Sequence, residues 1–441
     1  MGAATSASLE INRVVVLGAN GAMGAGSAAM FASAGCEVDL VARDLPKVEG
    51  AMKASQGIAK SEHITSSMSA RTYGEGYGAF LPGADLIFEA VAEEMSLKRR
   101  IFAEVDAHRP EDAIVATVSS GLSIREMAEG CSDGFKKHFL GIHLYNPPHV
   151  MSGVELIPHP DMDPALVNEL AEMMTNRFGR AVVICKDLPA FAGNRIGFKV
   201  LNEVAQLAET HGVQLMDTIV GPYTGRAMPP LATIDLVGWD VHKAIVDNVD
   251  ANIQDEAPGA FKMPAYMSKA LEAGHMGDKT PLMGGFFKRS TVDGKAIVQA
   301  LDPATGNYID MDRGLTVPFV EQVKELYHEG RYQQGMDSFM SAQDPLADIA
   351  RKVVLGYASY ALHRVGEVVE EYADADRIMT AGFNWAPPSG LVDYIGVDRA
   401  IAQMERYGIP VPALLHAAKK GEVRTPLFNL PFLTPGRYFA G

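Results

Sequence analysis

The chain has 441 residues, enough for two or three domains, and 47% of them are hydrophobic, so it can bury a substantial core. A formal net charge of −15 excludes the basic footprint of a nucleic-acid-binding protein. Cys36, Cys131 and Cys185 lie far apart without metal-ligand spacing, so no metal is expected and a reducing cytoplasm fits.

No apolar run approaches the ~18 residues that cross a bilayer, so no membrane partner is expected. The start, MGAATSASLE, lacks the apolar core of a signal peptide. MGAATS fits the loose myristoylation pattern, although a disordered run of small residues is the simpler reading.

In chain order, short apolar runs alternate with helical patterns over the first 187 residues. RVVVLG (13–18), EVDLVA (37–42), DLIFEA (85–90), AIVAT (113–117), FLGIH (139–143) and AVVIC (181–185) read as strands. Several are apolar throughout, as parallel strands covered on both faces are. GAGSAAMFASAG, SLKRRIFAEVDAH and DPALVNELAEMMTNRF read as helices. Ser96 and Asp163 are the expected N-caps of the last two, with Pro164 suited to a first helical position. Alternating β and α predicts an α/β class, a Rossmann-type doubly wound sheet over 1–187.

From about 188 the character changes. FAGNRIGFKVLNEVAQLAETHG (191–212) is one long amphipathic helix, and helices dominate afterwards. KAIVQALDPATGNYIDM (295–311) has two apolar-rich runs around Pro-Ala-Thr-Gly and predicts a β-hairpin. There is also an internal repeat. DTIVGPYTGRAMPPLATIDLVGWDVHKAI starts at Asp217, and DRIMTAGFNWAPPSGLVDYIGVDRAI starts at Asp376. Both carry, in order, an Asp, a glycine turn, Pro-Pro, Asp-x-x-Gly-x-Asp and a basic residue before Ala-Ile. The expectation is a duplicated all-α domain, 188–290 and 316–441, joined by a hairpin linker at 291–315.

VVVLGANGAMGAG follows a predicted strand and opens a helix. Gly18, Gly21 and Gly24, with Ala19, Asn20, Ala22 and Met23 between them, suit a turn that brings backbone N–H groups to a pyrophosphate. The spacing is one residue longer than the usual G-x-G-x-x-G. An acidic residue normally ends the second strand and holds the adenosine ribose. Here Ala42 and Arg43 stand there. NAD is the expected cofactor; Arg43 leaves NADP open through its 2′-phosphate, unless Arg43 is a solvated charge and Asp44 or the backbone serves the ribose.

LGANGAMG, DLIFEAVAEEMSLK, ATVSSGLSI, GIHLYNPPHVMSGVELI, CKDLPAFAGNRIG and GDKTPLMGGFFK together make the chain similar to the L-3-hydroxyacyl-CoA dehydrogenases, over about 12–410. The hairpin and second repeat resemble the long bacterial members, here expected without their hydratase domain. The resemblance implies His143 as general base and Glu155 as the group that orients it. It implies Ser120 and Asn194 as hydrogen-bond partners of the reacting oxygen, with Ser119 in place of Ser120 if the loop shifts by one. It implies Asn146, Glu93, Lys98 and Lys279 at the cofactor, and an acyl-CoA substrate.

Chemistry leads to the same pair. Oxidising a secondary alcohol by hydride transfer requires the hydroxyl proton to be removed, and a histidine with its ordinary pKa of ~6.5 does this near neutral pH. A carboxylate on the far ring nitrogen fixes the tautomer and supports the charged form. His143 falls at the carboxyl end of a strand, where open α/β sheets bind ligands. The NPPHVMSG loop can return Glu155 to it. His149 reads as surface or substrate mouth. Asn194 reads as several residues inside its helix, where capping is not its task. Lys98, Arg99 and Arg100 read as a solvated helix face from which Lys98 can reach the cofactor. Two other functions compete: a dehydrogenase of a small free hydroxy acid of the gulonate or carnitine type, and a non-catalytic NAD-binding protein. Single-repeat members of the family pair through their helical domains, so the second repeat is expected to form an internal pseudo-dimer, with any further homo-oligomer using another surface.

Overall fold

The structure is a computed structural model that describes residues 9–292, 295–428 and 435–439. The MGAATS start lies outside the described residues. The chain divides into two compact units, Met1–Phe191 and Ala192–Gly441.

The first unit is an eight-stranded sheet. Its strands are β1 (Arg13–Leu17), β2 (Glu37–Ala42), β3 (Met68–Thr72), β4 (Leu86–Glu89), β5 (Ile114–Thr117), β6 (Phe139–Leu144), β7 (Gly153–Pro158) and β8 (Ala181–Ile184). Their order is β3-β2-β1-β4-β5-β6-β7-β8, parallel except for the antiparallel pair β6 and β7. Val14, Val15, Val16 and Leu17 are wholly buried, because helices cover both sheet faces and leave no polar side for alternation to mark. The order reverses between β1 and β4, which opens a crevice at the carboxyl ends of those strands. Strand β3 had no sequence signal: it is an edge strand in which only Met68 is buried.

Helices α1 (Ala22–Ser33), α2 (Leu45–Ala59) and α3 (Met95–His108) connect these strands. Asp163 caps Pro164–Asn176 as expected, accepting from the Ala165 N–H at 2.8 Å. Ser96 does not cap α3. The helix begins one residue before it, after Glu94, and the Ser96 hydroxyl turns back to the Glu94 carboxylate.

The second unit is helical. Helices Gly193–His211 and Pro345–His363, each 19 residues long, pack against each other. A Cβ on Gly197 would lie 2.2 Å from the Phe383 ring, so only glycine admits that ring. Arg195, fully buried, donates to Asp255 at 2.9 Å and to the Tyr360 hydroxyl at 3.1 Å, and pairs with Glu367 at 2.6 Å. Arg364 closes the network with Asp255, Glu256 and Glu367.

The two repeat motifs fold alike. Asp217 accepts from the N–H groups of Leu231 and Ala232, at 2.8 and 3.0 Å. Asp376 accepts from the Ser389 N–H at 2.8 Å and from its hydroxyl. Each carboxylate thus caps the helix that follows its Pro-Pro pair. Further on, Asp235 accepts from the N–H groups of Phe286 and Phe287, and Asp393 from those of Leu427 and Phe428. Between the motifs, Arg226 and Trp385 form an antiparallel bridge, with Ala386 N–H donating to the Gly225 carbonyl at 2.7 Å. The Arg226 guanidinium lies 4.8 Å from the Trp385 ring.

The expected hairpin is there, as β10 (Lys295–Leu301) and β11 (Tyr308–Asp310). It is part of a larger sheet: β9 (Phe287–Val292) pairs with β10, so this small sheet starts inside the range assigned to the first helical domain.

Candidate active site

The β1–α1 turn holds the glycine-rich stretch. The Gly18 and Ala19 N–H groups both donate to the Val41 carbonyl, which pins the turn to β2. Gly18 has φ +77°, and a Cβ there would meet the Ala90 carbonyl oxygen at 2.7 Å. A Cβ on Gly24 would meet the Gly18 carbonyl oxygen at 2.5 Å. Both glycines are required by packing of the turn itself. Gly21 is different: a Cβ there would meet nothing of the protein closer than 3.7 Å. It precedes α1, whose N-terminus has neither a side-chain cap nor an acidic residue in its first turn. That bare N-terminus presents N–H groups and positive dipole to an approaching anion. Buried Ala19, half-buried Met23 and exposed Asn20 and Ala22 complete the turn. The residues present fit the pyrophosphate of a dinucleotide.

At the end of β2, Ala42 is buried and Arg43 exposed. The Asp44 carboxylate caps α2 through the Lys47 N–H and pairs with the Lys47 ammonium at 2.6 Å.

Across the crevice, Glu89 ends β4 and is wholly buried. It accepts from the Lys98 ammonium at 2.8 and 2.9 Å, from the Thr117 hydroxyl at 2.6 Å and from the Val91 N–H at 2.6 Å. This corrects the reading of Lys98 as part of a solvated face. Lys98 is fully buried, because a buried carboxylate nine residues earlier compensates its charge. Arg99 pairs with Glu129 instead, and Arg100 is exposed. Lys98 also reaches Glu93 at 3.4 Å. Glu93 in turn accepts from the Ser119 hydroxyl and from the Ser120 N–H. Ser119 is buried in this contact, whereas Ser120 is partly exposed.

His143 stands opposite Glu155 in the β6–β7 register. Its Nδ1 lies 2.6 Å from Glu155 Oε2, and both residues are buried. Antiparallel pairing turns both side chains to one face, and the intervening loop sets the register. With Nδ1 committed to the carboxylate, Nε2 is the nitrogen that can take a proton. The Tyr145 hydroxyl donates to the same Glu155 oxygen at 2.7 Å, a contact sequence reasoning missed. The available signal was parity: residues 143 and 145 share a side of an extended segment.

Asn146 follows as an exposed residue at the start of the loop. Arg180 ties that loop down, donating to the carbonyls of Pro148 and Met151 at 2.9 and 3.0 Å, and Gly26 of α1 leaves room for the Pro148 ring. His149 is exposed. Neither Arg180 nor Asp187, which caps Ile124–Met127 through the N–H groups of Ile124 and Arg125, was anticipated.

Asn194 and Lys279 belong to the second unit. Asn194 is not several residues inside its helix but in the first turn, at the second position of Gly193–His211. The helix starts late because Ala190 and Phe191 take positive φ, 62° and 51°. Lys279 is half exposed and pairs with Asp240 at 2.7 Å. Among the described residues no group of His, Cys, Asp and Glu could hold a metal ion.

The 3-hydroxyacyl-CoA dehydrogenase NAD-binding domain family matches residues 13–188, and the C-terminal domain family of the same enzymes matches 191–287. A Bacillus subtilis protein named "Probable 3-hydroxyacyl-CoA dehydrogenase" is 32% identical over 439 residues, covering 91% of this chain. The chain spans only about half of that relative, 53% of its length. A Deinococcus radiodurans protein of the same name is 30% identical, with 65% of this chain and 85% of the relative aligned. The crystal structure of an Escherichia coli 3-hydroxybutyryl-CoA dehydrogenase has the same fold, with TM-score 0.68 and 20% identity, covering 94% of this chain and 99% of the other. Its first domain is the NAD-binding domain of these proteins, and the chain belongs to the 3-hydroxyacyl-CoA dehydrogenase family.

Proposed function

We propose that the chain oxidises an (S)-3-hydroxyacyl-CoA to the 3-ketoacyl-CoA, with His143 as general base. The observation that carries this reading is the His143 Nδ1 to Glu155 Oε2 contact of 2.6 Å, which leaves Nε2 as the ring nitrogen to accept a proton. NAD, when bound, supplies the hydride acceptor. His143 takes the hydroxyl proton at Nε2, and Glu155 stabilises the imidazolium that results. Glu93, fixed by Ser119, Lys98 and the Ser120 N–H, holds the Ser120 loop beside the nucleotide crevice. Ser120 is assigned to the reacting oxygen, with Asn194 assigned to that oxygen by resemblance alone. Asn146 and Lys279 keep their assignment to the cofactor on the same ground.

The test is a comparison of acetoacetyl-CoA with free acetoacetate, each with NADH and NADPH. The thioester with NADH should be reduced, and the free acid at least a hundredfold less well. Preference for the free acid would move the protein to the hydroxy-acid dehydrogenases.

We further propose that the second repeat replaces the partner subunit of single-repeat relatives. The like folding of the two motifs and the Arg226–Trp385 bridge support this. A chain ending at Leu315 should then dimerise or aggregate; a soluble, fully active monomer would refute the proposal. Three free, buried cysteines support the cytoplasm as its place.

A further inference from the structure

Tyr145 has no part in the reaction as assigned so far. Its ring lies 4.8 Å from the His143 imidazole, and its hydroxyl meets the same carboxylate oxygen that His143 meets, at 2.7 Å against 2.6 Å. Cys185 Sγ lies 3.5 Å from the other oxygen, Oε1. The cluster is buried: Tyr145 is 7% exposed, Glu155 0% and Cys185 2%.

We propose that Tyr145 is a positioning residue that sets the basicity of the Glu155 carboxylate and, through it, the pH range over which His143 accepts a proton. The proposal rests on the reading of His143 as the base. While the imidazole is neutral, it engages the carboxylate charge only weakly, and the phenol O–H stabilises that charge strongly. Once His143 is an imidazolium, the same charge is engaged by the cation, and the phenol gains less. The hydroxyl therefore favours the neutral, proton-accepting imidazole over the charged one.

The surroundings suit this role. Burial, and then the Glu155 carboxylate, push the Tyr145 phenol well above its ordinary range, so it remains a donor at every working pH. Among the groups that face the carboxylate are His143 from β6, Tyr145 just beyond it and the Cys185 thiol after β8. The Phe191 ring, 5.6 Å from the imidazole, adds no charge. The Glu89–Lys98 pair, from β4 and α3, is neutral as a pair.

The experiment uses the full chain with isotope-labelled histidine. The His143 signals are assigned by their loss in His143→Gln and followed by NMR against pH. Tyr145→Phe removes one oxygen and keeps the ring. The midpoint of the His143 titration should rise by about half a pH unit to one unit, and the acid limb of kcat/KM for alcohol oxidation should rise with it. Site-specific 3-fluorotyrosine at position 145, a stronger donor of nearly the same size, should lower both. A residue that merely fills space moves neither, so a midpoint unchanged within about 0.2 of a pH unit in both proteins overturns the proposal. If Tyr145→Phe does not fold, the fluorotyrosine protein decides alone. If the wild-type chain oxidises no 3-hydroxyacyl-CoA, the base assignment fails, while the titration still judges the coupling of Tyr145 to His143.

Discussion

Two sets of carboxylates, one in each unit, keep different company. In the first unit Glu155 faces a histidine and a phenol, and Glu89 faces a lysine ammonium and a threonine hydroxyl. In the second unit the repeat-motif carboxylates Asp217, Asp235, Asp376 and half-buried Asp393 each face backbone N–H groups, with the Trp239 indole added at Asp235 and the Ser389 hydroxyl at Asp376. The second kind recurs with the repeat, twice in each motif, because every copy of the fold has the same helix end and the same returning segment to hold. The His143–Glu155 pair has no counterpart in either repeat motif. A carboxylate on backbone donors holds a chain in place; a carboxylate on a titratable partner can share a proton.

The largest expected effect breaks that contrast at Glu155. Glu155→Gln keeps size and packing but cannot stabilise an imidazolium, so turnover should fall by ~10²–10⁴ with the melting temperature nearly unchanged. Retention of more than about a third of wild-type turnover would show that the pair is not the acid–base device.

Asp217→Ala should do the reverse. It strands two N–H groups that the carboxylate now satisfies. The loss should be on the order of 3 kcal/mol in denaturant unfolding. A variant as stable as the wild type would remove Asp217 from the scaffold.

A pH series sharpens the contrast further. Burial raises Asp217 and Asp376 from the ordinary 3.8 to about 7. Below about pH 4 each is protonated in both folded and unfolded chains. Between there and about pH 7 only the unfolded chain has released the proton, so their contribution to stability falls as pH rises and is flat above. Urea midpoints of a variant with Asp217→Asn and Asp376→Asn should vary less over that window than those of the wild type. Equal slopes would mean that both residues ionise normally in the fold.

The smallest effect concerns the nucleotide. If Arg43 meets a 2′-phosphate, Arg43→Ala weakens NADP(H) binding severalfold and leaves NAD(H) alone, and Ala42→Asp favours NAD(H). Calorimetric titration of both cofactors decides it; indifference of both variants to both cofactors removes Ala42 and Arg43 from recognition.

Much of this was legible in the sequence because it is local. Apolar runs gave six strands of the large sheet, glycine spacing gave the β1–α1 turn, and a twelve-residue interval suggested that Glu155 returns to His143. What was missed depends on partners remote in sequence or on backbone strain. Lys98 read as solvated because its helix is full of charge, yet Glu89 in a strand end draws it inside. Strand β3 has one buried residue and thus no periodicity to detect. The late start of Gly193–His211 follows from positive φ at Ala190 and Phe191, residues whose side chains do not announce it. The second repeat shows what that start gives up. Its long helix opens with Asp344 as cap and Pro345 first, and has Leu346 and Ala347 where Asn194 and Arg195 stand. The repeat fold therefore does not need an asparagine there.

The Arg226–Trp385 bridge has an evolutionary reading. These residues hold corresponding places, each directly before the alanine that leads toward a Pro-Pro pair. In a symmetric dimer of identical chains, a residue on the axis meets its own copy, so arginine would face arginine and tryptophan would face tryptophan. Here the guanidinium lies over the indole at 4.8 Å, an attraction between unlike groups that identical copies could not supply at that point. Under the pseudo-dimer proposed above, two separate codons allow each half to mutate alone, so one half can drift toward pure support while the other keeps the residues assigned to chemistry.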